Sequence, residues 1–79
     1  MKVRVEVMLK TSVLDPQGKA VEHALKMLGF ANAVDVRVGK LIELDIAAPT
    51  VEAALAEARS MAEKLLVNPI IEDFRIHGV

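Results

Sequence analysis

The sequence contains no cysteine and only two aromatic residues, Phe30 and Phe74. The lack of cysteine excludes a disulfide framework and a thiolate metal site. The scarcity of aromatic side chains argues against an RNA-binding sheet, which stacks bases on exposed rings. Charge of one sign is missing as well, because 10 basic residues stand against 11 acidic ones and the net charge is -1. We therefore expect no nucleic-acid partner, since such proteins carry a basic surface.

Long hydrophobic runs are also absent from the sequence. No apolar stretch approaches the roughly 20 residues that cross a bilayer as a helix. The first residues alternate charged and apolar side chains and do not resemble a signal peptide. We expect a cytoplasmic protein without a membrane partner.

The small size of the chain limits its core. Its 79 residues indicate a single domain over 1–79. A domain of this size buries only about 60% of the surface that its unfolded chain exposes. Without a disulfide or metal to stabilise it, we expect further burial in a homo-oligomer, either a dimer or a tetramer.

The first half of the sequence predicts a strand and then a helix. From Val3 to Leu9 every second residue is apolar, as in a half-buried strand. Asp15 is suited to the N-cap of a helix and Pro16 to its first position, while Gly29 is suited to its end. The apolar stripe of this helix contains Val21, Ala24, Leu25 and Leu28.

Two further alternating stretches, Val34–Val38 and Ile42–Ile46, predict a β-hairpin. A three-residue loop from Gly39 to Leu41 opposes Val38 to Ile42, which keeps the apolar side chains on one face. In this arrangement Lys40 projects from the tip of the hairpin.

The last third of the sequence predicts a second helix and a final strand. Thr50 is a suitable N-cap, apolar residues continue at helical spacing to Leu65, and Asn68-Pro69 ends the helix. The strand follows over Ile70–Ile76. Glu72 breaks its apolar face, and we expect this side chain either to reach past the end of the second helix or to pair with a neighbouring chain.

The predicted order βαββαβ indicates an α+β fold. We expect a two-layer sandwich with a ferredoxin-like antiparallel sheet, strand order 4-1-3-2, and both helices on one face. The opposite face mixes apolar side chains such as Met8 and Leu41 with charged ones, which is a composition compatible with a partner surface.

Two Gly-Lys pairs, Gly18-Lys19 and Gly39-Lys40, are candidates for a phosphate site. Neither pair fits the P-loop pattern, because Gly18 has no upstream glycine partner, Ala20 replaces the hydroxyl residue, and Gly39 opens a hairpin. One alternative stays open. The N–H groups of Gln17, Gly18 and Lys19 could bind an anion or a partner's carboxylate at the helix N-terminus.

No catalytic constellation is visible in the sequence. His23 and His77 have no nucleophile or paired carboxylate at a suitable spacing. Glu72 and Asp73 are adjacent on a strand and point to opposite faces, so they cannot act on one atom. We expect no catalytic residue and no metal site.

Three stretches, "LDPQGKAVEHALKMLGF", "VRVGKLIEL" and "LLVNPIIEDFRI", occur in an order and spacing that resembles the PurS family, the small subunit of formylglycinamidine ribonucleotide synthase. The resemblance implies a non-catalytic subunit of purine biosynthesis that assembles an ATP-dependent synthetase subunit with a glutaminase subunit. It also implies that ATP and magnesium bind to the large subunit and that this chain holds no cofactor. We assign six residues to partner contacts: Gln17, Gly18, Lys19, Arg37, Gly39 and Lys40.

Two other classes compete with this interpretation. A regulatory module of the ACT kind would bind a small molecule between subunits, but would be expected to join an enzyme domain through a linker, and none is visible. A stand-alone enzyme is disfavoured by the missing catalytic residues.

Overall fold

The computed structural model describes residues 1–78 and has three strands and two α-helices. The elements are β1 (Lys2–Leu9), α1 (Pro16–Met27), β2 (Lys40–Asp45), α2 (Val51–Met61) and β3 (Glu72–Gly78). A π-helical turn over Ala62–Leu66 directly follows α2. The strands form one antiparallel sheet in the order β2-β1-β3.

β1 is the central strand of the sheet and supplies its most buried side chains. Val3, Val5 and Val7 are each at most 1% exposed. Val5 lies opposite Ile42 of β2 and Ile76 of β3, so apolar side chains of all three strands share one face. This is the face that the alternation along β1 predicts.

α2 packs on the sheet through small residues. Ala54 and Ala58 of α2, and Ala62 of the π-helical turn, are at most 1% exposed and belong to two adjoining clusters built on Val3, Val5 and Val7. Alanine leaves no bulk between helix and strand, so the helix axis can approach the sheet closely. The core is therefore thin, and valine and alanine dominate it.

The α+β class and the ferredoxin-like arrangement are confirmed. The predicted neighbours of the central strand are also correct, because the strands expected third and fourth pair with the first. The ends of the helices agree with the sequence. Thr50 caps α2 through Ala53 N–H at 3.1 Å, and Gly29 adopts a φ of 98° just after α1.

The predicted strand at Val34–Val38 is wrong, and so is the hairpin loop at Gly39–Leu41. Within residues 1–78 this segment joins no sheet, and β2 begins at Lys40 and pairs with β1. The side chain of Asp15 holds the segment beside the start of α1, and the side chain of Arg37 ties it to the end of β1. Alternation could not reveal these contacts, because they join polar side chains to backbone atoms distant in sequence.

The second helix and the last strand differ from expectation in their boundaries. The regular α-helix stops at Met61, and the π-helical turn continues to Leu66, where Val67 N–H donates to Ala62 O at 3.0 Å. Asn68-Pro69 ends the helical region as predicted. β3 begins at Glu72, two residues later than expected, because residues 68–71 form a turn in which the N–H groups of Ile71 and Glu72 donate to Asn68 O.

The outer face of the sheet carries paired charges. Lys10 contacts Asp73 at 2.6 Å, His77 contacts Glu6 at 3.3 Å, and Arg4 contacts Glu43 at 3.6 Å. Among the described residues, no helix is both long and apolar enough to cross a membrane.

Candidate partner-contact site

Asp15 joins the two Gly-Lys segments. Its Oδ1 accepts a hydrogen bond from Gly18 N–H at 2.9 Å, which caps α1. Its Oδ2 accepts from Val38 N–H at 2.8 Å, 23 residues away in the chain. One carboxylate therefore fixes the start of α1 against the extended segment that leads to β2.

The same contacts change the acidity of Asp15. The hydrogen bond from Gly18 N–H, then that from Val38 N–H, lower the pKa of the carboxyl below its ordinary value of 3.8. The nearby guanidinium of Arg37 acts in the same direction, and partial desolvation opposes it. Asp15 is thus held as a carboxylate in the folded chain.

Both glycines of the Gly-Lys pairs allow close approach of two backbone segments. A Cβ on Gly18 would collide with the carbonyl oxygen of Val36, and a Cβ on Gly39 would collide with the carbonyl oxygen of Val7 and with Met8 Sδ. Neither glycine has a positive φ. Both positions need glycine because a larger residue would not fit between the backbone segments. This explains the two Gly-Lys pairs without a phosphate ligand.

Arg37 ties the extended segment to the end of β1. Its guanidinium Nη2 donates to Leu9 O and, at 3.3 Å, to Lys10 O. Arg37 is half-buried, and these carbonyls lie where β1 ends. Its contacts within the chain are therefore structural, although part of the side chain reaches the surface.

The six residues assigned to partner contacts lie close together. Lys19 and Arg37 line a cleft of about 470 Å³ between the loop after β1 and the extended segment. Gln17, Gly39 and Lys40 line a neighbouring cleft of about 200 Å³. Gly18 is buried against Val36, whereas Gln17, Lys19, Gly39 and Lys40 are exposed. We call these six residues the Gly-Lys patch.

The position of Lys40 differs from the prediction. Lys40 opens β2 opposite Val7 and is not the tip of a hairpin. Its Nζ lies 4.0 Å from Glu72 Oε2, and its side chain is 55% exposed. It therefore stays on the surface, but within the sheet.

The alternative of an anion or a partner's carboxylate at the N-terminus of α1 stays a prediction. Gly18 N–H already donates to the carboxylate of Asp15, and Lys19 N–H donates to the backbone carbonyl of Asp15. Two of the three proposed donors are therefore occupied, and a negative charge already stands at the helix end.

Glu72 has a role that the sequence left open between two possibilities. Its Oε1 accepts a hydrogen bond from Asn68 N–H at 2.8 Å, so the side chain reaches back past the end of the second helix, as one of the two predicted. Its other oxygen faces Lys40. The signal in the sequence was the break in the apolar face of the strand.

No catalytic arrangement forms around the histidines. His23 is exposed on α1, and His77 lies in β3, where its partner is Glu6. In the part of the chain that the structure describes, no group of three or more His, Cys, Asp or Glu side chains is placed to hold a metal.

Comparison with known proteins gives a match over almost the whole chain. The family model for PurS, described as phosphoribosylformylglycinamidine (FGAM) synthase, matches residues 2–79. The chain belongs to the PurS family. The predicted resemblance is therefore confirmed, and the ACT-like alternative has no support.

Individual relatives extend over nearly the whole PurS chain. Phosphoribosylformylglycinamidine synthase subunit PurS of Bacillus subtilis is 49% identical over 74 residues, which are 94% of this chain and 87% of the relative. Methanocaldococcus jannaschii PurS, one of the subunits of formylglycinamide ribonucleotide amidotransferase in the purine biosynthetic pathway, is 38% identical with a TM-score of 0.86. That match covers 96% of this chain and 92% of the other.

A third match comes from an assembly. A chain in the structure of PurLQS from Thermotoga maritima has a TM-score of 0.90 and 29% identity, and the match covers 99% of this chain and 95% of that one. The PurS fold of this chain is thus the fold found within that structure.

Proposed function

We propose that this chain is the non-catalytic small subunit of phosphoribosylformylglycinamidine synthase. It assembles the ATP-dependent synthetase subunit with the glutaminase subunit, so that ammonia from glutamine converts formylglycinamide ribonucleotide to formylglycinamidine ribonucleotide in purine biosynthesis. The observation that carries this proposal is the family match over residues 2–79. The likeness to a chain of the Thermotoga PurLQS structure supports a role in assembly.

The division of chemistry between subunits is part of the proposal. ATP and magnesium bind to the synthetase subunit, and this chain holds neither. We place this complex in the cytoplasm.

The Gly-Lys patch is the surface we propose for contact with another subunit. Its exposed members include two lysines, Lys19 and Lys40. Arg37 and Lys19 line one cleft together with the carboxylates of Asp15 and Asp35. Such a mixed surface favours a partner that presents polar groups of both signs.

Reconstitution tests the assembly role. The chain should be added to the synthetase and glutaminase subunits, and glutamine-dependent and ammonia-dependent amidation should be measured side by side. We expect the glutamine-dependent rate to rise several-fold and the ammonia-dependent rate to change little. An unchanged glutamine-dependent rate with all three components would refute the assignment.

Alanine variants test the patch separately. Lys19→Ala and Lys40→Ala should weaken binding to the synthetase subunit, while the melting temperature of the isolated chain stays within a degree or two. Lys64→Ala changes an exposed lysine of the π-helical turn and serves as the matched control. Equal binding by all three variants would exclude the patch while leaving the assembly role intact.

A further inference from the structure

Two charged side chains stand on the face of the sheet that is otherwise apolar. Lys40 of β2 lies opposite Val7, and Glu72 of β3 lies opposite Leu9. Residues opposite one another on neighbouring strands share a face, and the face of Val7 is the one that forms the core. Leu9 follows Val7 by two positions and lies on that face as well. Each of the two charges therefore interrupts the apolar pattern of its own strand.

The two interruptions compensate each other across the central strand. Lys40 Nζ lies 4.0 Å from Glu72 Oε2, although the two residues belong to the two outer strands of the sheet. A charged group on the covered face of a sheet is costly unless a group of opposite sign accompanies it. The break in the last strand and the lysine at the start of β2 thus form one feature.

The two partners of this pair differ in how firmly they are held. The side chain of Glu72 is only 18% exposed, whereas that of Lys40 is 55% exposed. Glu72 Oε1 accepts a hydrogen bond from Asn68 N–H at 2.8 Å, and Glu72 N–H donates to Asn68 O at 2.8 Å. The carboxylate is therefore fixed within the chain, while the lysine is long, has many rotamers and reaches the surface.

Glu72 also lies within the Gly-Lys patch. It lines the cleft of about 200 Å³ that contains Gln17, Gly39 and Lys40. Its fixed carboxylate stands beside the exposed ammonium of Lys40, which can donate three hydrogen bonds and so can contact Glu72 and a further acceptor together. The last strand thus contributes a side chain to a surface whose other members come from the first half of the chain and the start of β2.

We propose that Glu72 is a positioning residue of the partner-contact site. It holds the ammonium of Lys40 at the mouth of the cleft, where this group meets an oxygen acceptor of the synthetase subunit. Because Lys40 is already oriented, less conformational freedom is lost when the two subunits associate. The inference rests on the proposed function, since it concerns the surface through which the chain contacts that subunit.

A double-mutant cycle on binding to the synthetase subunit tests the role of Glu72. Glu72→Gln keeps an oxygen that accepts from Asn68 N–H and removes the charge that faces Lys40. We expect it to weaken binding roughly two- to fivefold, the range of an exposed ion pair, and to have no further effect in a chain that carries Lys40→Ala. Glu63→Gln, at an exposed carboxylate of the π-helical turn, is the matched control and should bind as the wild type does.

Binding of the wild-type chain decides whether the proposed function fails or only the role of Glu72. A wild-type chain that does not bind the synthetase subunit overturns both. If the wild-type chain binds, and Glu72→Gln is harmless or weakens binding equally with and without Lys40→Ala, only the positioning role is overturned.

Nuclear magnetic relaxation of the lysine Cε groups gives a readout on the isolated chain that needs no partner. In the wild-type chain the side chain of Lys40 should be more ordered than that of Lys64, which is exposed on the π-helical turn. In Glu72→Gln the two side chains should be similarly mobile. Similar mobility in the wild-type chain would overturn the proposal, whatever the affinities are.

Discussion

Asp15 joins two segments that are distant in the sequence, because each oxygen of its carboxylate accepts a hydrogen bond from a different one. A helix N-cap normally bonds only within its own first turn, but here the second carboxylate oxygen reaches Val38. Arg37, next to Val38, adds a favourable charge interaction and separate bonds to the end of β1. The side chains of Asp15 and Arg37 thus join the start of α1, the end of β1 and the segment before β2.

This arrangement predicts a pH dependence that is specific to Asp15. The folded-state pKa is lowered below 3.8, so the stabilisation is complete above pH 3.8 and is lost as the pH falls through the folded-state pKa. Asp15→Asn keeps the shape and can still cap Gly18, but its amide nitrogen cannot accept from Val38 N–H. We expect a melting temperature several degrees below wild type at pH 7, and a smaller difference near pH 2.

Thermal melts of wild type, Asp15→Asn and Asp35→Asn across this pH range check the prediction. Asp35 is an exposed carboxylate near the same cleft, and its variant should follow the wild type closely. A difference for Asp15→Asn that stays constant from pH 7 to pH 2 would show that the charge of Asp15 contributes nothing.

Gly39 lies where the structure leaves no room for a side chain, and this can be tested by substitution. Gly39→Ala places a Cβ against the carbonyl oxygen of Val7, which is backbone of the central strand and cannot move freely. We expect a loss of about 1–3 kcal/mol in unfolding free energy, as overpacking typically costs. Gly78→Ala is the matched control, because its Cβ meets only Val51 and Leu55 side-chain carbons at 3.7 and 3.8 Å. Urea unfolding of both variants measures the difference, and equal stabilities would remove the structural explanation of the second Gly-Lys pair.

Among the elements, the segment from Val34 to Val38 differs most from its sequence pattern. Its alternating valines are typical of a strand, yet polar side chains hold it beside α1 and away from the sheet. Val34 is largely exposed, while Val36 and Val38 are half-buried. β-branched alternation describes a segment that suits a sheet, but the hydrogen bonds of Asp15 and Arg37 fix this segment elsewhere.

The attachment of this segment can be tested through Arg37. Arg37→Ala removes the bonds to the carbonyls of Leu9 and Lys10 and the charge beside Asp15. We expect amide hydrogen exchange to become at least about tenfold faster over residues 34–39, with little change in β1, because local opening does not require global unfolding. Arg75→Ala, at an exposed position of β3, serves as the control. Unchanged exchange in residues 34–39 would mean that Asp15 alone holds the segment.

At the scale of the whole molecule, the thin core has one consequence. Val3, Val5 and Val7 are the largest fully buried side chains, so a single chain buries little apolar surface. If association supplies the rest, folding and assembly are coupled through mass action. We expect the melting temperature of the isolated chain to rise by several degrees between 1 µM and 100 µM protein. Calorimetry at both concentrations checks this, and a constant melting temperature would indicate that each chain is stable alone.

The sequence by itself determined the elements whose signals are local. Alternation identified β1, capping residues located both helix starts, Asn68-Pro69 ended the helical region, and three ordered motifs identified the PurS family. These features depend on residues within a few positions of one another, where backbone sterics and side-chain period act directly. Only the tertiary structure decided where residues 34–39 lie and why Gly18 and Gly39 must be glycine. Each of those outcomes depends on an atom more than ten residues away, such as Val38 N–H for Asp15 or the carbonyl of Val7 for Gly39.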